Sequence, residues 1–207
     1  MWPERGPSRW RWPAAAAVAA CAALVALTLA ACSQPPSAAR LRDVGGHLPD
    51  LQLSAMQTDT GAAADARAYR GKVVMLYFGF ARCRDVCPAT LERLASAVAA
   101  LGSAGRDVDT IFVSIDPSHD SAAVLHDYLR AFIDAHPTGL RGDDDATLAL
   151  VKRYRVAYRP AAGTDGEPVH GAAVYLFDRD GHVRYLLAPS DNDAVLLATL
   201  RHLATGT

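Results

Sequence analysis

The feature that most constrains the fold is an unbroken apolar stretch that runs directly into a pair of cysteines. Residues 72–79 read Lys-Val-Val-Met-Leu-Tyr-Phe-Gly, and Cys83 and Cys87 come next. A continuous run of β-branched and aromatic residues is typical of a strand buried on both faces, hence central in a sheet. Pro88 is compatible with the first turn of a helix. This region therefore predicts a central strand, a short loop carrying both thiols, and a helix.

The rest of the globular part alternates between helical and strand-like patterns, and no internal repeat is visible. The order β-α-β-α-(α)-β-β-α predicts an α/β domain: a thioredoxin-like mixed sheet flanked by helices, with insertions. The patterns predict helices over 89–101, 121–135, 143–154 and 191–203, and strands over 48–53, 108–115, 174–177 and 182–187. They predict a loop or a weak hairpin over 56–68 and a loop over 139–142.

The N-terminal segment, residues 1–32, is typical of a targeting signal. Three arginines within the first eleven residues precede an uncharged apolar run over 14–31, and the run ends in Leu-Ala-Ala-Cys at Cys32. This ending resembles a bacterial lipobox, which implies lipidation of Cys32 after cleavage. The alternative is an uncleaved anchor helix, because about 18 apolar residues can begin to span a bilayer. Both interpretations place the remainder outside the cytoplasm, since the arginines stay inside.

The predicted organisation is therefore a lipoprotein-type signal over 1–32, a flexible tether over 33–45 and a folded domain over 46–205. The domain is expected to be anchored in a bacterial cell envelope and to face the periplasm or another extracytoplasmic side. Of the four cysteines, Cys21 lies in the signal and Cys32 takes the lipid. Cys83 and Cys87 are then the thiols of the folded domain. In an oxidising compartment the default expectation for two neighbouring cysteines is a disulfide.

The position and spacing of Cys83 and Cys87 favour metal chemistry over a simple crosslink. Free N–H groups at a helix start, together with Arg82 and Arg84, are expected to lower the thiol pKa values. Three residues separate the cysteines, whereas redox motifs usually have two. Soft thiolates select Cu(I), zinc or iron–sulfur clusters, but a cluster normally needs four cysteines. A histidine or carboxylate is therefore expected as a third ligand.

Among the histidines, His170 is one candidate for this role, because it precedes a strand predicted to be central and would face the cysteine loop of a thioredoxin-like sheet. Solvated or structural roles are expected for the other six, which are His47, His119, His126, His136, His182 and His202. For His119, in the loop after Asp116-Pro117, an approach to the site is the open alternative. For Asp85, between the cysteines, the residues leave open a solvated or helix-capping role. Asp116 is expected to shape its loop.

Several segments in the same order resemble the Sco/SenC family, copper proteins that help to assemble cytochrome c oxidase. They are Phe-Gly-Phe-Ala-Arg-Cys-Arg-Asp-Val-Cys-Pro at 78–88, Ser-Ile-Asp-Pro at 114–117 with Asp120 and Tyr128, Gly-Leu-Arg-Gly at 139–142, Tyr-Arg-Val at 154–156, Val-His-Gly-Ala at 169–172, Tyr-Leu-Phe-Asp at 175–178, and Asp180-Gly181. The chain departs from the family pattern at three positions, where Arg82, Arg84 and Gly171 stand in place of the usual histidine, proline and serine.

The resemblance implies one copper ion, Cu(I) or Cu(II), bound by Cys83, Cys87 and His170. It implies that Asp85, Arg82 and Arg84 support the ligands or contact a partner. The implied partners are the copper-bearing subunit of cytochrome c oxidase and other periplasmic copper donors, with the membrane reached through the lipid anchor. No nucleic-acid partner is expected, because the net charge is −1 and no basic stripe is present.

Other functions remain open from the residues alone. A thioredoxin-type thiol–disulfide oxidoreductase would use Cys83 and Cys87 without needing His170. A peroxiredoxin-like peroxidase is disfavoured, because the threonine expected ahead of its reactive cysteine is absent. A redox or copper sensor, or a passive domain with one structural disulfide, would also fit the cysteine pair.

Overall fold

The computed structural model describes residues 41–163 and 166–206, all of them within a unit that spans residues 40–207. The predicted signal over 1–32, the lipidation site Cys32 and most of the predicted tether lie outside the described residues. In the described part, no helix is both long enough and apolar enough to cross a bilayer.

The described residues form nine strands, four α-helices and three short 3₁₀ segments. The strands are β1 Arg42–Asp43, β2 Gln57–Thr58, β3 Val73–Gly79, β4 Val108–Ser114, β5 Pro137–Arg141, β6 Tyr158–Arg159, β7 Val169–His170, β8 Val174–Phe177 and β9 Val183–Leu187. The α-helices are α1 Val86–Ala100, α2 Ala122–Leu129, α3 Asp144–Arg153 and α4 Asp193–Thr205. The 3₁₀ segments are Ala66–Tyr69, Gly102–Asp107 and Arg130–Ala135.

Seven strands form one mixed sheet in the order β1-β9-β8-β3-β4-β5-β2, and β6 and β7 form a separate pair. Strands β3, β4 and β5 are parallel neighbours, whereas β8 lies antiparallel to β3 on its other side. The predicted α/β class and the central position of the apolar strand are therefore confirmed.

The sheet separates two hydrophobic layers, and β3 contributes to both because its side chains alternate between the faces. Every residue of β3 is buried. Met75 and Tyr77 pack on the layer that holds α1, α2 and α4. Leu76 and Phe78 pack on the opposite layer, which holds α3 and the segment before β2. Burial on both faces explains why the sequence of this strand shows no polar alternation.

The structure corrects the predicted start of the folded domain. Strand β1 pairs with β9, and Leu41 and Val44 beside it are buried, so residues 41–44 belong to the folded domain rather than to a tether. The strand predicted over 48–53 is wrong: this segment is irregular, although Leu51 and Leu53 are buried. Its apolar alternation reflects packing on the sheet without pairing to it.

Two further expectations fail in the middle of the chain. The loop predicted over 139–142 is largely strand β5, and a Cβ at Gly139 would lie only 3.0 Å from Leu129 Cδ1, so glycine allows close packing against α2. The helix predicted over 121–135 leaves α-helical geometry after Leu129 and continues as a 3₁₀ segment with a kink at Phe132.

The strand pairing gathers three chain segments at one edge of the sheet. Gly79 and Ser114, the last residues of parallel β3 and β4, are register partners. Val174, the first residue of β8, pairs with Tyr77 near the same end of β3, because β8 is antiparallel to it. The loops that follow β3 and β4 and the segment that precedes β8 therefore meet. They carry Cys83, Asp116 and His170 respectively.

Candidate metal centre

The two cysteines occupy the loop after β3 and the first turn of α1. Cys83 is half-buried, whereas Cys87 is 0% exposed, and both are free thiols. The Cys87 amide donates a hydrogen bond to the Cys83 sulfur at 3.4 Å. The Cys83 sulfur thus accepts a hydrogen bond from one of the N–H groups that have no partner within the first turn of a helix. Asp85 stands at the N-cap position, but it is exposed and forms no capping hydrogen bond, so the capping role is excluded.

His170 is half-buried at the end of β7 and is held on several sides. Its cross-strand partner is Tyr158. Its ring makes edge contacts with Tyr77 and Phe80, at centroid distances of 6.1 and 5.9 Å. Its Nδ1 lies 3.0 Å from the Gly171 carbonyl oxygen, and its Nε2 lies 3.6 Å from Cys87 Sγ. Two of the three residues that the sequence identified as ligands are thus neighbours in space.

The hydrogen bonds of His170 define how the imidazole faces the thiol. A carbonyl only accepts, so Nδ1–H donates to Gly171 and Nε2 keeps its lone pair. The Cys87 S–H can then donate to Nε2. Burial lowers the pKa of His170 and raises the pKa of Cys87 to about 12. The pair is therefore a neutral thiol beside a neutral imidazole, and the expected lowering of the thiol pKa is wrong for Cys87.

The donor set fits a soft metal ion. With metal–sulfur and metal–nitrogen bonds of about 2.3 and 2.0 Å, two ligands 110–120° apart are separated by about 3.5–3.7 Å. The observed Cys87–His170 separation is 3.6 Å. Cys83 is less converged, because the three donor atoms do not all lie within 4.8 Å of one another. Cys83 is half-buried, so of the two sulfurs it is the one that solvent reaches.

Among the described residues, one group of three metal-binding side chains does have its ligand atoms within 4.8 Å of one another, and it lies elsewhere. Asp178, Asp180 and His182 share the turn between β8 and β9. The Asp178 carboxylate accepts hydrogen bonds from the backbone N–H groups of Asp180 and His182, at 3.0 and 2.9 Å. These contacts are the ordinary stabilisation of a tight turn.

Arg82 does not direct its charge at the sulfurs as the sequence suggested. Its Nε and Nη2 donate to Asp116 Oδ2 at 2.9 and 2.7 Å, and Nη2 also donates to the Gly166 carbonyl at 2.8 Å. The guanidinium is therefore satisfied within the loops around the site. Arg84, on the other side of Cys83, is exposed.

Two carboxylates after β4 support the cysteine loop, and the sequence analysis assigned them no such function. Asp120 is fully buried and accepts from Ser114 Oγ at 2.6 Å and from the Ala81 amide at 3.2 Å. Burial raises the pKa of Asp120. For Asp116, burial acts in the same direction, but hydrogen bonds from His119 and Arg82 outweigh it and lower the pKa. The sequence did contain a signal for this role. Asp116 and Asp120 follow a strand that is parallel to β3, so they lie at the same sheet edge as the loop after β3.

Of the other histidines, four have partners away from the cysteines. His119 binds Asp116, His126 binds Asp59, His136 binds the Val108 carbonyl, and His182 lies beside Asp178. This agrees with the structural or solvated roles that were expected for them.

Comparison with known protein families gives one extended match. A family model described as SCO1/SenC matches residues 55–205. Protein SCO1 homolog 1, mitochondrial, of Arabidopsis thaliana is 34% identical over 137 residues, which cover 65% of this chain and 38% of that protein. Protein SCO1 homolog, mitochondrial, of Homo sapiens is 31% identical over 147 residues, covering 69% of this chain and 48% of that protein. The aligned part is thus about half or less of these relatives.

Solved structures agree with the fold. The Bradyrhizobium japonicum ScoI structure with copper bound has a TM-score of 0.64 and 31% identity, and the match covers 72% of this chain and 95% of that one. The yeast Sco1 structure with copper bound has a TM-score of 0.62 and 28% identity, covering 70% of this chain and 82% of that one.

Proposed function

The chain belongs to the SCO1/SenC family, and from this premise we propose that it is a copper-binding protein that carries one copper ion as cargo. Cys83 and Cys87 would supply sulfur ligands and His170 the nitrogen ligand. Copper-bound structures of ScoI and yeast Sco1 support the choice of metal. Two thiolates and one imidazole form a donor set that suits Cu(I), and Cu(II) is accepted when the geometry relaxes.

The observation that carries this proposal is the 3.6 Å separation between Cys87 Sγ and His170 Nε2. The Gly171 carbonyl holds the imidazole in the tautomer that leaves Nε2 free to bind a metal. Both groups are neutral in the folded protein, so a cation displaces the Cys87 proton and leaves the imidazole uncharged. A thiol–disulfide oxidoreductase does not need this imidazole contact.

Delivery of the ion would proceed by ligand exchange with a docked partner. Cys83 is half-buried, and Arg84, Asp85 and Val86 beside it are exposed, so a partner thiolate can approach from this side. We propose the copper-bearing subunit of cytochrome c oxidase as recipient and other periplasmic proteins as donors. Anchoring through Cys32 in the cell envelope would keep the domain near a membrane-bound recipient. Arg84 and Asp85 are the charged groups we assign to docking.

Thiol–disulfide exchange is the second candidate, and one observation favours it. The structure has two free thiols next to each other, one half-buried and one fully buried. An accessible sulfur that attacks and a protected one that resolves the mixed disulfide would suit reduction of a partner's cysteines. This activity needs Cys83 and Cys87 but not His170.

The test is a Cu(I) titration of the purified full chain against a competing chelator, with His170→Ala, Cys83→Ser and Cys87→Ser variants. We expect one-to-one binding in the unmodified chain and at least about a tenfold weaker affinity in each variant. His126→Ala is the matched control, because His126 is exposed on α2 and pairs with Asp59. It should bind copper as the unmodified chain does.

A second readout separates the two candidates. An intense thiolate-to-Cu(II) absorption band should appear in the unmodified chain and vanish in Cys83→Ser. If His170→Ala instead binds copper as tightly as the unmodified chain and reduces disulfides at the same rate, the oxidoreductase reading replaces the copper-carrier reading.

A further inference from the structure

Arg82 joins three segments around the candidate metal centre. It immediately precedes Cys83, so its backbone belongs to the cysteine loop. Its guanidinium reaches Asp116 in the turn after β4, with Nε and Nη2 at 2.9 and 2.7 Å from Oδ2. The same Nη2 lies 2.8 Å from the carbonyl oxygen of Gly166, in the segment that leads to His170.

The Asp116 end of this bridge is firmly held. Asp116 is 4% exposed, and its other carboxylate oxygen binds His119 Nδ1 at 2.8 Å and Ser118 Oγ at 3.2 Å. Its amide donates to Ser114 Oγ at 3.1 Å. The turn is in addition tied to the cysteine loop through Asp120 and the Ala81 amide. These contacts hold the Asp116 carboxylate in place, and the carboxylate in turn orients the Arg82 guanidinium.

The Gly166 end lies on the segment that carries the histidine. Gly166 is four residues before His170, and a Cβ there would lie 2.5 Å from the Ala162 carbonyl oxygen, so Gly166 packs closely against Ala162. Because Arg82 holds the Gly166 carbonyl, it restricts the position of the first residue of β7 and hence of His170. A planar guanidinium can donate in two directions at once, which the point charge of a lysine cannot do with the same geometry.

We propose that Arg82 is a positioning residue: it clamps the segment that carries His170 to the cysteine loop, and so sets the approach of the imidazole to the two sulfurs. The role rests on the proposed copper-binding function. The hydrogen bonds of the Arg82 guanidinium go to the Asp116 carboxylate and the Gly166 carbonyl and not to a proposed copper ligand. Arg82 therefore acts on the site through these two groups.

The experiment measures Cu(I) affinity, the nitrogen coupling in the electron paramagnetic resonance spectrum of the Cu(II) form, and the melting temperature. The variants are Arg82→Gln, Arg82→Lys, His170→Ala and the double variant Arg82→Gln/His170→Ala, all in the full chain. We expect Arg82→Gln to bind Cu(I) about 10- to 100-fold more weakly and to show a weakened nitrogen coupling. Arg82→Lys should fall between Arg82→Gln and the unmodified chain.

Arg93→Gln is the matched control for general loss of stability. Arg93, on α1, likewise binds a carboxylate, that of Asp193, and the carbonyl oxygens of Ala188 and Asp191. It joins α1 to the α4 region, and none of these hydrogen bonds reaches the described residues before His170. We expect Arg93→Gln to lower the melting temperature as Arg82→Gln does, while the copper affinity and nitrogen coupling stay unchanged.

The double variant tests whether Arg82 acts through His170. In the His170→Ala background, Arg82→Gln should weaken copper binding by less than about twofold, because the group it positions is gone. A full additional loss in that background would overturn the clamp, as would unchanged affinity and nitrogen coupling in Arg82→Gln or full affinity in Arg82→Lys. Absence of one-to-one binding in the unmodified chain would instead refute the proposed function.

Discussion

Cys83 and Cys87 are joined by a hydrogen bond from the Cys87 amide to the Cys83 sulfur, yet their sulfurs lie in different environments. Cys83 is half-buried in the loop, where it can be reached from solvent. Cys87 is 0% exposed and belongs to the core beneath α1. The helix start thus presents one thiol outward and keeps the other inside, next to His170.

This difference predicts the order of thiol modification. With the reduced protein at pH 8, we expect iodoacetamide to alkylate Cys83 at least about tenfold faster than Cys87, because a buried thiol reacts only when the helix start opens. Peptide mass spectrometry over time gives both rates in one experiment. The Cys83→Ser variant serves as control, in which the slow rate of Cys87 should persist. Equal rates in the unmodified chain would contradict the buried position of Cys87.

Alkaline pH should destabilise the protein through Cys87. Burial raises the pKa of this thiol from 9.0 to about 12. Between these two pH values the unfolded chain has lost the proton and the folded chain still holds it. The unfolded state therefore binds fewer protons, and the free energy of unfolding falls as pH rises, by at most about 1.4 kcal/mol per pH unit. Below pH 9 both states hold the proton, so the stabilisation that Cys87 provides is fully present.

Urea unfolding at pH 8, 9, 10 and 11 measures this effect. We expect the stability difference between the unmodified chain and Cys87→Ala to shrink as pH rises through the window. Buried tyrosines titrate in the same direction but are common to both proteins, so the difference isolates the thiol. A difference that stays constant from pH 8 to 11 would show that Cys87 keeps an ordinary thiol pKa.

Two buried tyrosine hydroxyls should respond oppositely to removal. The Tyr128 hydroxyl is buried and has no hydrogen-bond partner among the described residues. The Tyr154 hydroxyl accepts from the Gln52 amide at 3.0 Å and donates to the Asp50 carbonyl at 3.1 Å. Tyr128→Phe should therefore raise the free energy of unfolding by up to about 1 kcal/mol, and Tyr154→Phe should lower it by about 1–2 kcal/mol. Chemical denaturation measures the free energy of unfolding of both variants. Changes of the same sign would contradict the hydrogen bonding described for the two hydroxyls.

Gly79, at the end of β3, should not tolerate a side chain. An added Cβ would lie 2.7 Å from the Phe112 ring and 3.0 Å from Cys87 Sγ. Gly79→Ala is therefore expected to cost about 1–3 kcal/mol of stability and to weaken copper binding, because the Cys87 sulfur must move.

Gly171→Ala is the matched control beside the other candidate ligand. There a Cβ would make an ordinary contact of 3.6 Å with Ala157 Cβ. Its melting temperature and copper affinity should match those of the unmodified chain. A Gly79→Ala protein as stable as the Gly171→Ala protein would show that the end of β3 is less tightly packed than the structure has it.

Much of the fold followed from local patterns, and the failures share one cause. Strand β3 and helix α1 were predicted because apolar continuity and Pro88 act within a few residues. Strand β5 was missed, because Gly139 reads as a loop until the proximity of α2 makes glycine the residue that fits. Residues 48–53 were wrongly predicted as a strand. Their alternation of apolar and polar residues reflects burial of Leu51 and Leu53 against the sheet, and it does not show whether the segment forms hydrogen bonds to another strand.

The sequence by itself determined the α/β class, the cysteine pair at a strand-to-helix junction, and the resemblance to a copper-protein family, because each depends on neighbours along the chain. Tertiary structure decided which imidazole approaches Cys87, which carboxylate binds Arg82, and that the Cys87 pKa rises instead of falling. These relationships join residues far apart in sequence. They depend on strand order and on burial, which remove water from the thiol and bring Asp116 and His170 to the edge where β3 ends.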